Sequence, residues 1–242
     1  MSTPVIRSRF PSRSPTAPAR LCEGRGVHVG ILGGTGPAGR GVALRLAEVG
    51  VRVTIGSRDA ERAEGVVADV VARWPGRGLD LHGADNAAAA AADLVVVATP
   101  WDSAIPTVRS LREPLSGKVV VSMANALVKE GREMLALVPP RGSVAAAVQA
   151  ALPDSQVAAA FHHLPASEME DLESGLEADV LVCSDHPEAT AATIGLVGRM
   201  RGLRPLDAGS LNQAAAIEAF TAVCVTLNIR HKAHSTLRMA GI

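Results

Sequence analysis

Between Val27 and Met123 short β-branched runs alternate with segments of helical spacing, and this alternation restricts the fold more than any other feature. "VHVGIL" (27–32) leads into a glycine-rich turn. "GRGVALRLAEVG" then places Val42, Leu46 and Val49 at helical spacing and stops at Gly50. "VRVTIG" (51–56) reads as a second strand, and "DAERAEGVVADVVARW" as a helix ending before Pro75. "LDLH" (79–82) is a weak third strand, "NAAAAAA" a short helix, "DLVVVATP" (93–100) a strongly apolar fourth strand and "KVVVSM" (118–123) a fifth. Ala104 to Leu111 has helical character interrupted by Pro106. Strands that are apolar on both faces, separated by helices, imply a parallel sheet covered on both sides.

The remainder is less regular. "VAAAFHHLPA" reads as a strand running into a loop, "ADVLVCSD" as another strand, Pro187 to Met200 as a helix and "GLRPLDAG" as a short extended segment. A long helix is expected from about Ser210 to Ala233, with Ile217, Phe220 and Val223 on one face. The expected division is a tail over 1–26, a nucleotide-binding unit over 27–161 and a smaller C-terminal substrate or dimer unit over 162–242. The tail is rich in Arg, Pro and Ser and has one acid, Glu23; it reads as disordered or non-native.

Gly34, Gly36 and Gly39 form G-x-G-x-x-G between the first strand and the first helix, which is the context that pattern requires. The first glycine permits the tight turn, the second lets backbone approach a pyrophosphate, and the third lets helix and strand pack closely. The helix N-terminus supplies N–H groups and partial positive charge. The fold class is therefore α/β: a Rossmann-type doubly wound parallel sheet, with a small C-terminal α/β part ending in the long helix. At the end of the second strand, where a carboxylate would accept from an adenosine ribose hydroxyl, the chain has Ser57 and Arg58, with Arg62 one turn later. A hydroxyl and two guanidinium groups suit a 2′-phosphate, so the dinucleotide is read as NADP(H). Asp59 is the nearest acid and equally suits a helix N-cap.

Composition narrows the chemistry. The 242 residues contain no Tyr, which excludes reductases that use a Tyr proton donor. Lys plus Arg equals Asp plus Glu at 24 each, so no basic field exists to hold nucleic acid or an anionic membrane. The longest apolar run is interrupted by Asp93 and is too short to span a bilayer. Cys22, Cys183 and Cys224 are scattered and form no CxxC pair, as expected of a reduced cytoplasmic protein without metal.

These residues together resemble the NADPH-dependent coenzyme F420 reductases. The resemblance runs from Val27 to Ile242 through "GILGGTGPAGRGVALRLAEVG" with "IGSRDAERAE", then "TPWDSAI", "FHHLPA", "DVLVCSDHPEA", "GLRPLDAGSL" with "IEAFTAV", and "LNIRHKAHSTLRMAGI". It implies NADP(H) along Thr35, Pro37 and Ala38, with Ser57, Arg58 and Arg62 at the 2′-phosphate. Thr99, Pro100, Trp101 and Ser103 would line the nicotinamide half, and the loop carrying Leu164, Pro165 and Ala166 would hold the carboxamide through backbone groups. His162 would orient the deazaflavin co-substrate F420, with His163, Asp207 and Thr221 as further substrate contacts and a second subunit making a homodimer. Where such proteins often carry Arg and Ser on the last helix, this chain has Ala215 and Ala219.

Read without the resemblance, His162 and His163 are either a substrate-orienting or proton-handling pair, or one packed and one exposed histidine. Asp207 also reads as closing a turn before Ser210 caps the last helix. Asn228 and Lys232, among cations crowding that helix's C-terminus, read as structural. The expected activity is reversible hydride transfer between NADP(H) and F420. The alternatives are reduction of another small substrate, an imine or hydroxy acid, and non-catalytic NADPH binding.

Overall fold

The computed structural model describes residues 26–242; apart from Gly26, the expected tail lies outside the described residues. The first half alternates as expected: β1 (His28–Leu32), α1 (Pro37–Glu48), β2 (Arg52–Ser57), α2 (Ala60–Arg73), β3 (Leu81–Asp85), α3 (Asn86–Ala90), β4 (Leu94–Val97), α4 (Trp101–Ser110), α5 (Arg112–Leu115) and β5 (Val119–Ser122). A hairpin β6 (Leu127–Glu130) and β7 (Glu133–Ala136), then α6 (Val144–Ala151), precede β8 (Gln156–Ala159) and α7 (Ala166–Met169). The chain ends with β9 (Ala178–Ser184), α8 (Pro187–Val197), β10 (Leu203–Asp207) and α9 (Ala214–His231).

One eight-stranded sheet holds all strands but the hairpin, in the order β10-β9-β8-β5-β4-β1-β2-β3. The six strands from β3 to β8 are parallel; β8 and β9 run antiparallel, and β10 follows β9 in parallel. The boundary expected near 162 falls in the turn where the direction reverses, while the sheet itself continues.

Both faces are covered, which explains the unbroken apolar runs. In β4, Leu94 and Val96 pack against the layer containing α1, α2 and α8, and Val95 and Val97 against the layer containing α3, α4 and α6. Each such side chain contributes roughly 1.5–3 kcal/mol on burial.

Four expectations are corrected. The third strand is displaced to Leu81–Asp85, because "LDLH" pairs with β2 only from Leu81 onward. Helix α4 begins at Trp101 and continues through Pro106, giving up one backbone N–H. Ser210 makes no side-chain cap; a 3₁₀ turn (Leu211–Gln213) separates it from α9, and the Leu211 N–H donates instead to Asp185 Oδ1 at 3.0 Å. On α9, Ile217 is buried but Phe220 and Val223 are exposed; the packed face carries Ile217, Glu218, Thr221 and Ala222. The hairpin and α6 are additions that hydrophobic periodicity does not announce, since β6 and β7 ("LVKE", "EMLA") are largely exposed.

Candidate active site

The order of the strands reverses between β1 and β4, and ligands in such sheets bind beyond the strand C-termini at that point. There the structure has a cleft of about 990 Å³, lined by Thr35, Gly36, Pro37, Ala38 and Gly39, by Ser57, Arg58 and Arg62, and by Thr99, Pro100, Trp101 and Ser103. Twelve expected residues from three separate loops thus converge on one surface. Its size lies at the upper end of the range for small-molecule sites.

The glycine loop is built by close approach. Gly33, not Gly34, takes the left-handed conformation, at φ 64°. A Cβ on Gly39 would stand 2.7 Å from the Gly34 Cα, so α1 packs directly on the turn. The Gly34 N–H donates to the Gly56 carbonyl at 3.0 Å, tying the turn to β2; Gly34 lies beneath the cleft lining. Pro37 opens α1, no side chain caps its N-terminus, and no acid lies in its first turn. Its first N–H groups and its dipole therefore point at the cleft unneutralised by side chains.

At the end of β2 the acid Asp59 and the bases Arg58 and Arg62 all line the cleft, but they are engaged differently. Asp59 N-caps α2, its Oδ1 accepting from the Arg62 N–H at 3.3 Å, while Ser57 Oγ accepts from the Asp59 N–H at 3.2 Å. Arg58 and Arg62 are exposed, line the cleft and make no ion pair among the described residues. A phosphate would meet two planar guanidinium forks there.

Other expected residues lie away from this lining. His162 and His163 are both buried, each 4% exposed, so the exposed histidine is not found. Burial, reinforced by His163, pushes His162 down to about 3, and burial also lowers His163. Leu164 and Pro165 lead into α7, which packs on α1: a Cβ on Gly41 would stand 2.5 Å from the Met169 Cβ. Thr221 is buried with Oγ1 donating to the Ile217 carbonyl at 3.3 Å. Asp207 closes its turn, accepting from the Gly209 N–H at 2.8 Å, and lines a separate surface hollow beside α8. Ala215 is half-buried and Ala219 exposed.

Among the cleft residues that the sequence did not announce, two make side-chain hydrogen bonds from just past strand ends. Asn86, following β3, accepts from the Gly33 N–H at 3.0 Å and so holds the glycine turn. Asn125, three residues beyond β5, lines the cleft and reaches His162. Their place at strand C-termini was the available signal.

Among the described residues no helix is long and apolar enough to cross a membrane, and no three His, Cys, Asp or Glu converge as a metal site. Among the described residues Cys183 and Cys224 form no disulfide, and burial pushes the Cys183 thiol up to about 12.

Fold and cleft define a Rossmann-type dinucleotide-binding protein. Residues 28–126 match the family described as "NADP oxidoreductase coenzyme F420-dependent". The chain is 37% identical over 215 residues to the F420-dependent NADP reductase of Methanocaldococcus jannaschii, covering 87% of this chain and 96% of that one. It is 34% identical to that of Methanothermobacter marburgensis, covering 89% and 97%. The structure of a putative F420-dependent NADP reductase from Arthrobacter sp. FB24 superimposes with TM-score 0.75 at 27% identity, covering 89% of this chain and all of that one. The chain belongs to the F420-dependent NADP reductase family.

Proposed function

We propose that the protein transfers hydride reversibly between NADP(H) and the deazaflavin coenzyme F420. One observation carries the reading: a single cleft runs from the unpaired Arg58 and Arg62, past the uncapped N-terminus of α1, to the wall formed by Pro100, Trp101 and Asn125. The charged end suits an adenosine 2′-phosphate, and the helix terminus a pyrophosphate. The far end, of Ala, Pro, Met and Trp side chains, suits flat rings.

The bound cofactors supply the hydride donor and acceptor, and the chain orients them and excludes water. In this reading Ser57, Arg58 and Arg62 hold the 2′-phosphate, and backbone at Thr35, Gly36, Pro37, Ala38 and Gly39 takes the pyrophosphate. Thr99, whose buried Oγ1 has no partner among the described residues, and Pro100, Trp101 and Ser103 border the nicotinamide. The Leu164–Pro165–Ala166 turn serves the nicotinamide carboxamide, and His162, His163 and Thr221 serve the second substrate. Residues 27–161 bind the nucleotide, and 162–242 serve the second substrate and the dimer.

The dimer we propose would use α9, where Phe220, Val223 and Leu227 expose an apolar stripe. Free Cys183 and Cys224 fit a reducing cytoplasm. The test is to mix purified protein with NADPH and F420. Bleaching of the deazaflavin absorbance is expected; no change under any ratio of the two would remove the reading.

A further inference from the structure

Helix α1 opens on the glycine turn and is bonded along its side to α7. Arg40 Nε and Nη2 both donate to Glu170 Oε1, at 3.0 and 2.8 Å, while Arg73 holds Glu170 Oε2 at 3.2 Å. Further along α1, the buried Arg45 donates to the Met169 and Glu168 carbonyls at 3.2 and 2.7 Å. Between these arginines Gly41 packs on Met169. The helix held in this way is the one into which Leu164 and Pro165 lead.

The remaining donor of Arg40 acts on the glycine turn itself: Nη1 donates to the Thr35 carbonyl at 3.3 Å. The peptide joining Thr35 to Gly36 is planar and trans, so its carbonyl and its N–H point in opposite directions. Holding the carbonyl toward Arg40 therefore aims the Gly36 N–H the other way. That N–H has no partner among the described residues, and Gly36 lines the cleft. No described part of the protein requires glycine at 36: its φ of −77° suits any residue, and a Cβ there would meet no atom within 4 Å. A fixed peptide plane, an unused donor and clear space in front of the backbone thus coincide at one point.

We propose that Arg40 is a positioning residue for the nucleotide: anchored by Glu170, it fixes the Thr35–Gly36 peptide so that the Gly36 N–H meets a phosphate oxygen. The ligand class is a diphosphate ester, and its placement on this turn rests on the proposed function. Arg40 itself lies outside the cleft lining, its donors engaged by Glu170 and Thr35. Glu170 closes α7, so the same brace ties the pyrophosphate turn to the Leu164–Pro165–Ala166 turn, with 130 residues separating Arg40 from Glu170.

Titrations with NADPH and with adenosine 2′-monophosphate, which has the 2′-phosphate but no pyrophosphate, separate the brace from general damage to the cleft. Arg40→Met should weaken NADPH about tenfold, the effect of one misdirected charge-assisted bond, and leave adenosine 2′-monophosphate unchanged. Equal loss of both nucleotides would overturn the proposal. Glu170→Gln should weaken NADPH by a smaller factor, because a neutral acceptor holds Arg40 less firmly. If Arg40 were instead a direct phosphate ligand, loosening it from Glu170 would tighten NADPH; tighter or unchanged binding therefore also overturns the proposal. Should Arg40→Met not fold, Arg40→Lys serves the same comparison, since one nitrogen replaces the fork that spans Glu170 and Thr35. In the nucleotide-free protein the Gly36 amide ¹H–¹⁵N signal should shift in each variant, and an unmoved signal sinks the brace whatever the ligand. Arg58→Ala is the control and should weaken both nucleotides. Its failure to do so would count against the proposed placement of the 2′-phosphate alone, since the amide signal needs no nucleotide.

Discussion

Between Ser57 and Arg62 the chain sets two guanidinium groups and two carboxylates, Asp59 and Glu61, and hydrogen bonding engages one of the acids. Asp59 lines the cleft beside the two bases, but its Oδ1 accepts from the Arg62 N–H at the start of α2, while Arg58 and Arg62 make no ion pair among the described residues. Arg58→Ala is expected to raise the NADPH KM about tenfold, the effect of losing one exposed charge-assisted bond, with little change in the F420 KM. Steady-state kinetics with each substrate varied would show it; equal effects on both would count against the 2′-phosphate role. The histidines teach the converse. Their adjacency marks a special place, but periodicity carries no information about solvent, and burial turns two possible proton carriers into neutral rings.

Among the elements, α1 is sensitive at its first turn because helix and loop meet without an intervening side chain. Gly39→Ala would put a Cβ 2.7 Å from the Gly34 Cα, against backbone that cannot rotate away. A loss of about 1–3 kcal/mol of stability is expected, with weaker NADPH binding, read by thermal melts and titration. At the other end of the chain, α9 is clasped to α6 by Glu218, whose carboxylate accepts from the Val144 N–H at 2.8 Å and the Ala145 N–H at 3.0 Å. Burial raises Glu218 from 4.5 to about 7 against the lowering effect of those two N–H groups. The folded state therefore holds this proton more tightly than the unfolded chain. Its contribution is full below pH 4.5 and is lost as pH rises to about 7. Glu218→Gln should flatten stability over that window, measured as denaturant midpoints against pH. An unchanged slope would refute the assignment. Nothing in "VAAAVQAA" or "IEAF" pairs these helices in advance, because the contact spans 74 residues.

For the whole molecule, the C-terminal segment is sewn to the sheet edge by one buried carboxylate. Asp179, fully buried, pairs with the Arg204 fork at 2.7 and 2.6 Å and accepts from the Met239 N–H, while Arg204 also donates to the Ile242 carbonyl at 2.7 Å. The Arg204 bonds hold Asp179 down from 3.8 to about 2. This stabilisation is present above pH 3.8 and lost as pH falls through about 2. Asp179→Asn should free residues 232–242 for limited proteolysis while leaving the nucleotide cleft assembled. Resistance equal to wild type would show that the clasp is not what holds them.

Local chemistry was enough to establish the parallel half of the sheet, the glycine turn and the cation pair. Each is written in a contiguous stretch: apolar runs bounded by helices, glycines where backbone must approach backbone, charges after a strand. Tertiary structure alone decided what depends on distant partners. It placed β9 and β10 on the main sheet, turned Phe220 and Val223 outward, removed Asp207 and Thr221 from the cleft lining and brought Asn125 against His162, 37 residues away. Burial and hydrogen-bond satisfaction are properties of neighbours in space, and hydrophobic period and spacing record only neighbours along the chain.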